Sequence, residues 1–245
     1  MKLGMFIVAA LLLPVTANAD DSTVQRVVAK ALDAQGGAAK LAKLQAATGK
    51  IKGTFHGMGA AFEFTGEYAS HGADKYKVDI ELDVAGQKLR FVQVLAGNEG
   101  WRRLGDDTEA MDQEELAEAK EEAYAEWVSS LTPLTDKQFT LSPLGELAIE
   151  QRQTVGVKVA SKGHRDVDLY FDKETGLLAK IVTQAMDDGG QLVSEETLLS
   201  EYREFNGIKQ PTKYNVKRDG KLYMETEVSE ARLVEKLDDS VFAKP

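Results

Sequence analysis

Between Asp166 and Val234 the chain is cut into short apolar-alternating runs by four turn signals, and that spacing fits an antiparallel meander. The turns fall at Asp172–Gly176, Asp187–Gly190, Asn206-Gly207 and Asp219-Gly220. Gly, Asn and Asp tolerate the positive φ that tight hairpins demand. An Asp-Gly pair between Tyr214–Arg218 and Lys221–Met224 is a strong hairpin signal. The frame is therefore a β-sheet, and other segments are expected to cover it.

The first residues read as an export signal. Lys2 supplies a positive start, the eleven residues Leu3–Leu13 are nearly all apolar, Pro14 breaks the run, and Ala17-Asn18-Ala19 is a small-x-small cleavage pattern. Cleavage is expected after Ala19, giving a periplasmic or secreted protein. A permanent anchor is excluded by length: eleven residues at about 1.5 Å each fall short of a hydrocarbon core of roughly 30 Å.

The sequence contains no cysteine, so no disulfide staples the fold and the cleavage junction offers no thiol to a lipid. Stability must come from a core. Residues 20–245 are long enough to bury roughly 70% of their unfolded surface, and no Pro- or Gly-rich linker divides them, so one domain is expected. Thirty Lys and Arg against forty Asp and Glu give a net charge of −10, which repels phosphate backbones and anionic lipid surfaces and argues against a nucleic-acid partner. A hydrophobic fraction of 43% argues equally against a disordered chain.

Asp21-Ser22-Thr23 can cap a helix running to about Ala34, with Val24, Val27, Val28, Ala31 and Leu32 on one stripe; Gly36-Gly37 ends it, and a short second helix is expected over Ala38–Leu44. Four or five strands follow. Phe62, Phe64, Gly66 and Tyr68 alternate with polar residues, as do Tyr76, Val78, Ile80, Leu82 and Val84. Over Gln87–Ala96, Leu89 and Phe91 point one way but Val92 and Val94 the other, which requires either a bulge or cover on both faces. Residues 131–144 read as a connector, because Pro133 and Pro143 oppose both helix and central strand. Asp239–Phe242 reads as a closing turn that docks Phe242.

Asp106–Glu126 carries ten acidic residues and one base, Lys120. Read as a helix, it puts Leu116, Ala119, Ala123, Trp127 and Leu131 on one stripe and Glu114, Glu118, Glu122 and Glu126 on the far side. Like charges at every i,i+4 step cost about 0.2–0.5 kcal/mol each in an exposed helix, so local stability did not select them. The ladder is expected to be a solvated face or a contact surface for a basic partner.

Catalytic signatures are missing. His56, His71 and His164 are far apart with no second metal ligand at useful spacing, no Gly-x-Ser-x-Gly elbow occurs, and neither Gly57-Met58-Gly59 nor Gly189-Gly190 opens a helix as a phosphate loop would. No enzyme activity, cofactor or metal is expected.

Several phrases together resemble exported bacterial proteins of the outer-membrane lipoprotein-sorting type, the LolA/LolB-like superfamily. They are Gln35-Gly36-Gly37 after the first helix, Phe62–Glu67, Asp168–Leu177, Tyr202–Pro211 and Asp239–Phe242. The resemblance implies a mainly β (α+β) fold, a strongly curved antiparallel half-barrel with helices covering an apolar concave face, here with a helical insertion near residues 106–131. It also implies a non-catalytic carrier holding a lipid, acyl chain or lipoprotein anchor. Candidate lining residues are Phe62, Phe64, Tyr76, Ile80, Leu82, Trp101, Tyr214 and Met224. The alternative is a protein-interaction or envelope-sensor module on the same fold, contacting its partner through the acidic helix.

Overall fold

The structure, a computed structural model, describes residues 18–57, 59–187 and 189–245. The expected signal segment, residues 1–19, lies outside the described residues apart from its last two. Helix α1 spans Asn18–Gln35, so it begins ahead of the expected cap at Asp21–Thr23. Val24, Val28, Ala31 and Leu32 are buried, as the stripe predicts. Helix α2 is one turn, Ala38–Leu41, shorter than expected, and it buries Leu41.

Six strands follow in order: β1 (Ala46–Phe55), β2 (Phe62–His71), β3 (Lys75–Val84), β4 (Gln87–Ala96), β5 (Glu99–Leu104) and β6 (Asp107–Ala110). Helix α3 (Gln113–Ser129) and a 3-10 turn (Thr132–Thr135) lead to β7 (Thr140–Ile149), β8 (Arg152–Ala160), β9 (Val167–Asp172), β10 (Leu178–Met186) and β11 (Leu192–Ser200). A small hairpin, β12 (Arg203–Phe205) and β13 (Ile208–Gln210), precedes β14 (Lys213–Arg218) and β15 (Lys221–Val234).

Thirteen of these strands form one antiparallel sheet in the order β6-β5-β4-β3-β2-β1-β15-β14-β11-β10-β9-β8-β7. The expected meander holds from β9 to β15, except that β12 and β13 leave the sheet as a separate pair. Asn206 and Gly207 turn that pair with φ of 53° and 74°, and Asp219 and Gly220 turn β14 into β15 with φ of 45° and 76°. Positive φ at both central residues is the hairpin geometry that Asn-Gly and Asp-Gly favour. The sheet has two free edges, β6 and β7, and is not closed.

Its curvature follows from one helix. On α3, Ala119 packs with Leu95 of β4, while the neighbouring Glu118 accepts the Met186 N–H at the end of β10 at 2.9 Å. Those strands stand seven places apart in the sheet, about 34 Å if it were flat. A helix about 10–12 Å across touches both, so the sheet wraps around it. Glycine permits the bend on β1: Gly49 and Gly53 lie opposite Tyr68 and Phe64, whose rings occupy the space a Cβ would take.

Two expectations are corrected here and one stated alternative is decided. Residues 107–110 are a strand rather than the start of the acidic helix, because Gly105 turns β5 back on itself and Trp101 pairs with Ala110. The 131–144 connector contains just over one turn of 3-10 helix and the start of β7; Pro143 is accommodated because β7 is an edge strand with a register shift at that point. Over Gln87–Ala96 there is no bulge, since β4 pairs with β3 in unbroken register; both faces are covered instead. Leu89 and Phe91 look into the concave side, whereas Val92 and Val94 are buried on the convex side beneath Phe242. Phe242 is docked there by the closing turn as predicted, with Asp239 bonded to Lys75 at 2.7 Å.

The main core joins α1, the second half of α3 and strands β8 to β10. No helix among the described residues is long and apolar enough to cross a membrane.

Candidate functional site: the concave lumen

Helix α3 is the element that turns the curved sheet into a cavity. Asp112 caps it, accepting the N–H groups of Glu114 and Glu115 at 2.9 Å, while the Glu115 carboxylate accepts the Asp112 N–H at 3.0 Å. The first acidic residues are thereby explained as a capping box at the positive end of the helix. Beyond the cap the helix has two apolar flanks. Leu116, Ala119 and Ala123 pack towards Leu95, and Tyr124 and Val128 enter the main core. With both flanks gripped by opposite arms of the sheet, the acidic stripe between them can face only the enclosed space.

That space is a cavity of about 810 Å³, open rather than sealed. Apolar side chains from many strands line it, among them Ile51, Phe55, Val78, Leu89, Phe91, Ile181, Val216 and Val228. The volume is at the upper end of the range for small-molecule sites. Of the eight residues expected to line such a cavity, the structure brings Phe64, Tyr76, Ile80, Leu82, Tyr214 and Met224 together on its wall. Phe62 and Trp101 are not among the lining residues. Phe62 is opposite Phe55 at the end of the β1–β2 hairpin, and Trp101 pairs with Val94 on the convex face, where it packs in the cluster around Phe242.

The acidic ladder is the larger correction. Glu118, Glu122 and Glu126 line the cavity, so three of the four residues expected to face solvent or a basic partner point inward. Glu114 is absent from the lining; it is exposed, as are Glu122 and Glu126, the last two into the open cavity. Glu118 and Glu121 clamp the helix to the β8–β9 loop: Arg165 meets Glu118 at 2.5 Å and Glu121 at 3.5 Å, and the Arg165 N–H donates to Glu121 at 2.8 Å. His164 stacks on Tyr124 with ring centroids 3.9 Å apart and reaches Glu121 at 3.0 Å.

Among the described residues, Glu122 and Glu126 form no such ion pair. Glu122 accepts one hydrogen bond, from Gln93 at 3.2 Å. Both carboxylates keep accessible surface, but that surface faces the lumen and its walls rather than bulk water. Burial within the concavity, reinforced by the charges of Glu118 and Glu195, raises the Glu122 carboxyl to about 7. Burial likewise raises Glu126, opposed by a hydrogen bond with Ser70. Tyrosines gather nearby. Burial, with the Glu126 charge behind it, pushes the Tyr68 phenol up to about 12 and raises Tyr76 as well; Tyr214 rises through burial and its neighbours Tyr68, Tyr202 and Glu126. Among the described residues no three His, Asp or Glu side chains gather as a metal site.

No family model matches the chain, and no curated protein matches it by sequence. Solved structures do match by shape. An outer membrane lipoprotein-sorting protein domain from Vibrio parahaemolyticus aligns with TM-score 0.57 at 12% identity over 91% of this chain and 97% of its own. A LolA superfamily protein from Nitrosomonas europaea gives TM-score 0.57 at 11% identity, covering 90% and 97%. A DUF1329 family protein from Desulfovibrio piger gives TM-score 0.57 at 13% identity, again over 90% and 97%. The resemblance read from the sequence therefore holds at the level of fold, a LolA-like curved half-barrel.

Proposed function

We propose that this chain, built on the fold of lipoprotein-sorting and LolA superfamily proteins, is an exported, non-catalytic carrier that holds a hydrophobic ligand in its lumen. The ligand class is a lipid, an acyl chain or a lipoprotein anchor, and the partners implied are the envelope components that load and unload it. The supporting observation is the open cavity of about 810 Å³ lined largely by apolar side chains. A cavity of that kind is unfavourable when filled with water, at about 25 cal/mol per Å² of apolar wall, and an acyl chain relieves that by roughly 0.8 kcal/mol per buried methylene. The alternative role as an interaction module has less support, because three of the four glutamates expected to carry it line the cavity.

The test is a native mass spectrum of the mature chain isolated from a bacterial periplasm without detergent, followed by mass analysis of an organic extract. A bound species of lipid mass is expected. A bare protein that stays bare after incubation with fatty alcohols, amphiphilic amines and lipopeptides would overturn the carrier reading.

A further inference from the structure

The polar groups of the lumen are unevenly charged. Six carboxylates line it, Glu118, Glu121, Glu122, Glu126, Asp166 and Glu195, against two guanidiniums, Arg165 and Arg218. Both guanidiniums are committed. Arg165 holds Glu118 and Glu121, while Arg218 binds Glu195 at 2.8 Å and lies 3.9 Å over the Tyr223 ring. Asp166 pairs with Lys158 at 3.2 Å. Among the described residues Glu122 and Glu126, one helical turn apart, form no ion pair, and only Arg218 offsets part of the Glu122 charge.

A second observation points the same way. Around Glu126 the wall also carries Tyr68, Tyr76 and Tyr214. Aromatic rings beside carboxylates attract ammonium cations through the ring quadrupole as well as through charge. An anionic head group placed there would meet two carboxylates, with the Arg218 guanidinium offsetting only part of the Glu122 charge and itself bound to Glu195.

Resting on the carrier reading, we propose that the lumen selects an amphiphile with an ammonium-type head, seated between the Glu122 and Glu126 carboxylates and the rings of Tyr68, Tyr76 and Tyr214. The apolar tail occupies the strand-lined remainder of the cavity. This geometry disfavours free fatty acids, although a tail-only account would accept them equally.

The experiment uses three probes with the same twelve-carbon tail, dodecyltrimethylammonium, dodecanol and dodecanoate, each below its micelle concentration at pH 8 and moderate salt. Affinities are measured by calorimetry on the mature chain. The ammonium probe is expected to bind at least about tenfold tighter than the alcohol, with dodecanoate weakest. E122Q/E126Q should remove that advantage, while a far-ultraviolet circular dichroism spectrum matching wild type and retained dodecanol binding report that the variant is folded and loadable. E114Q, at the exposed end of the same helix, should change nothing, which separates lumenal recognition from adsorption to an acidic surface. Equal affinities for the three heads, or an advantage that survives E122Q/E126Q, would overturn the assignment while leaving the carrier reading intact. Failure of all three probes to bind would overturn both.

Discussion

Replacing Glu122 by Gln should stabilise the protein at pH 8 and leave it unchanged near pH 4. The Glu122 carboxyl sits at about 7 in the fold against 4.5 as its ordinary value. A carboxyl raised on folding binds its proton more tightly in the native than in the unfolded state. Stability therefore falls as pH rises from the unfolded value through the folded one, between about 4.5 and 7, and is constant beyond. At 1.36 kcal/mol per pKa unit the full shift corresponds to about 3 kcal/mol. Because the carboxylate keeps accessible surface in the lumen, screening reduces this to about 1–2 kcal/mol. Glutamine preserves the acceptor for Gln93 and removes the charge that Glu118 and Glu195 repel and Arg218 partly offsets. The assay is urea unfolding of wild type and E122Q at pH 4, 5, 6, 7 and 8. Taking the difference at each pH cancels the other titrating groups. A difference that grows to about 1–2 kcal/mol in favour of E122Q by pH 8 is expected. A difference independent of pH, or a variant less stable at pH 8, would refute the placement of this side chain in an enclosed lumen.

Other perturbations probe the parts around it. Phe242→Ala should cost about 3–5 kcal/mol in chemical denaturation, since the ring is 2% exposed beneath Val92 and Val94, yet leave ligand affinity unchanged because that face is convex. Asp112→Ala removes the reciprocal cap of α3 and should cost about 1 kcal/mol, measurable by denaturation and by faster amide exchange in the first turn. Ile80→Trp fills part of the lumen and should weaken dodecanol binding at least about tenfold, a loss of about 1.4 kcal/mol or more, with the far-ultraviolet circular dichroism unchanged.

What the sequence makes legible here is local. The Asp219-Gly220 and Asn206-Gly207 hairpins are readable because positive φ is a property of those residues. The opposed apolar pairs on β4 narrow the choice to a bulge or cover on both faces because strand alternation is strict, and the unbroken pairing with β3 selects the second. Phe242 is readable as an anchor from the turn that delivers it. The placement of Trp101 is not, because ring size does not reveal which side of β5 is concave; only the pairing with Val94 settles that. The acidic ladder marks the same boundary more sharply. Helical periodicity shows that Glu118, Glu122 and Glu126 share a face, but what that face looks at depends on two distant arms of the sheet gripping the flanks of α3. Strand β6 is hidden for a related reason, as its acidic residues suggest continuity with the helix while its partner β5 supplies the pairing.

The chain's two tryptophans offer the most direct test of an occupied lumen, because Trp127 is among the residues lining the cavity and Trp101 packs on the convex face. Titration with a bromine-tagged fatty alcohol, whose heavy atom quenches indole fluorescence on contact, should quench Trp101→Phe, in which only Trp127 emits. It should leave Trp127→Phe unquenched. Quenching confined to Trp101, or none in either variant, would contradict a ligand held on the concave side of the sheet.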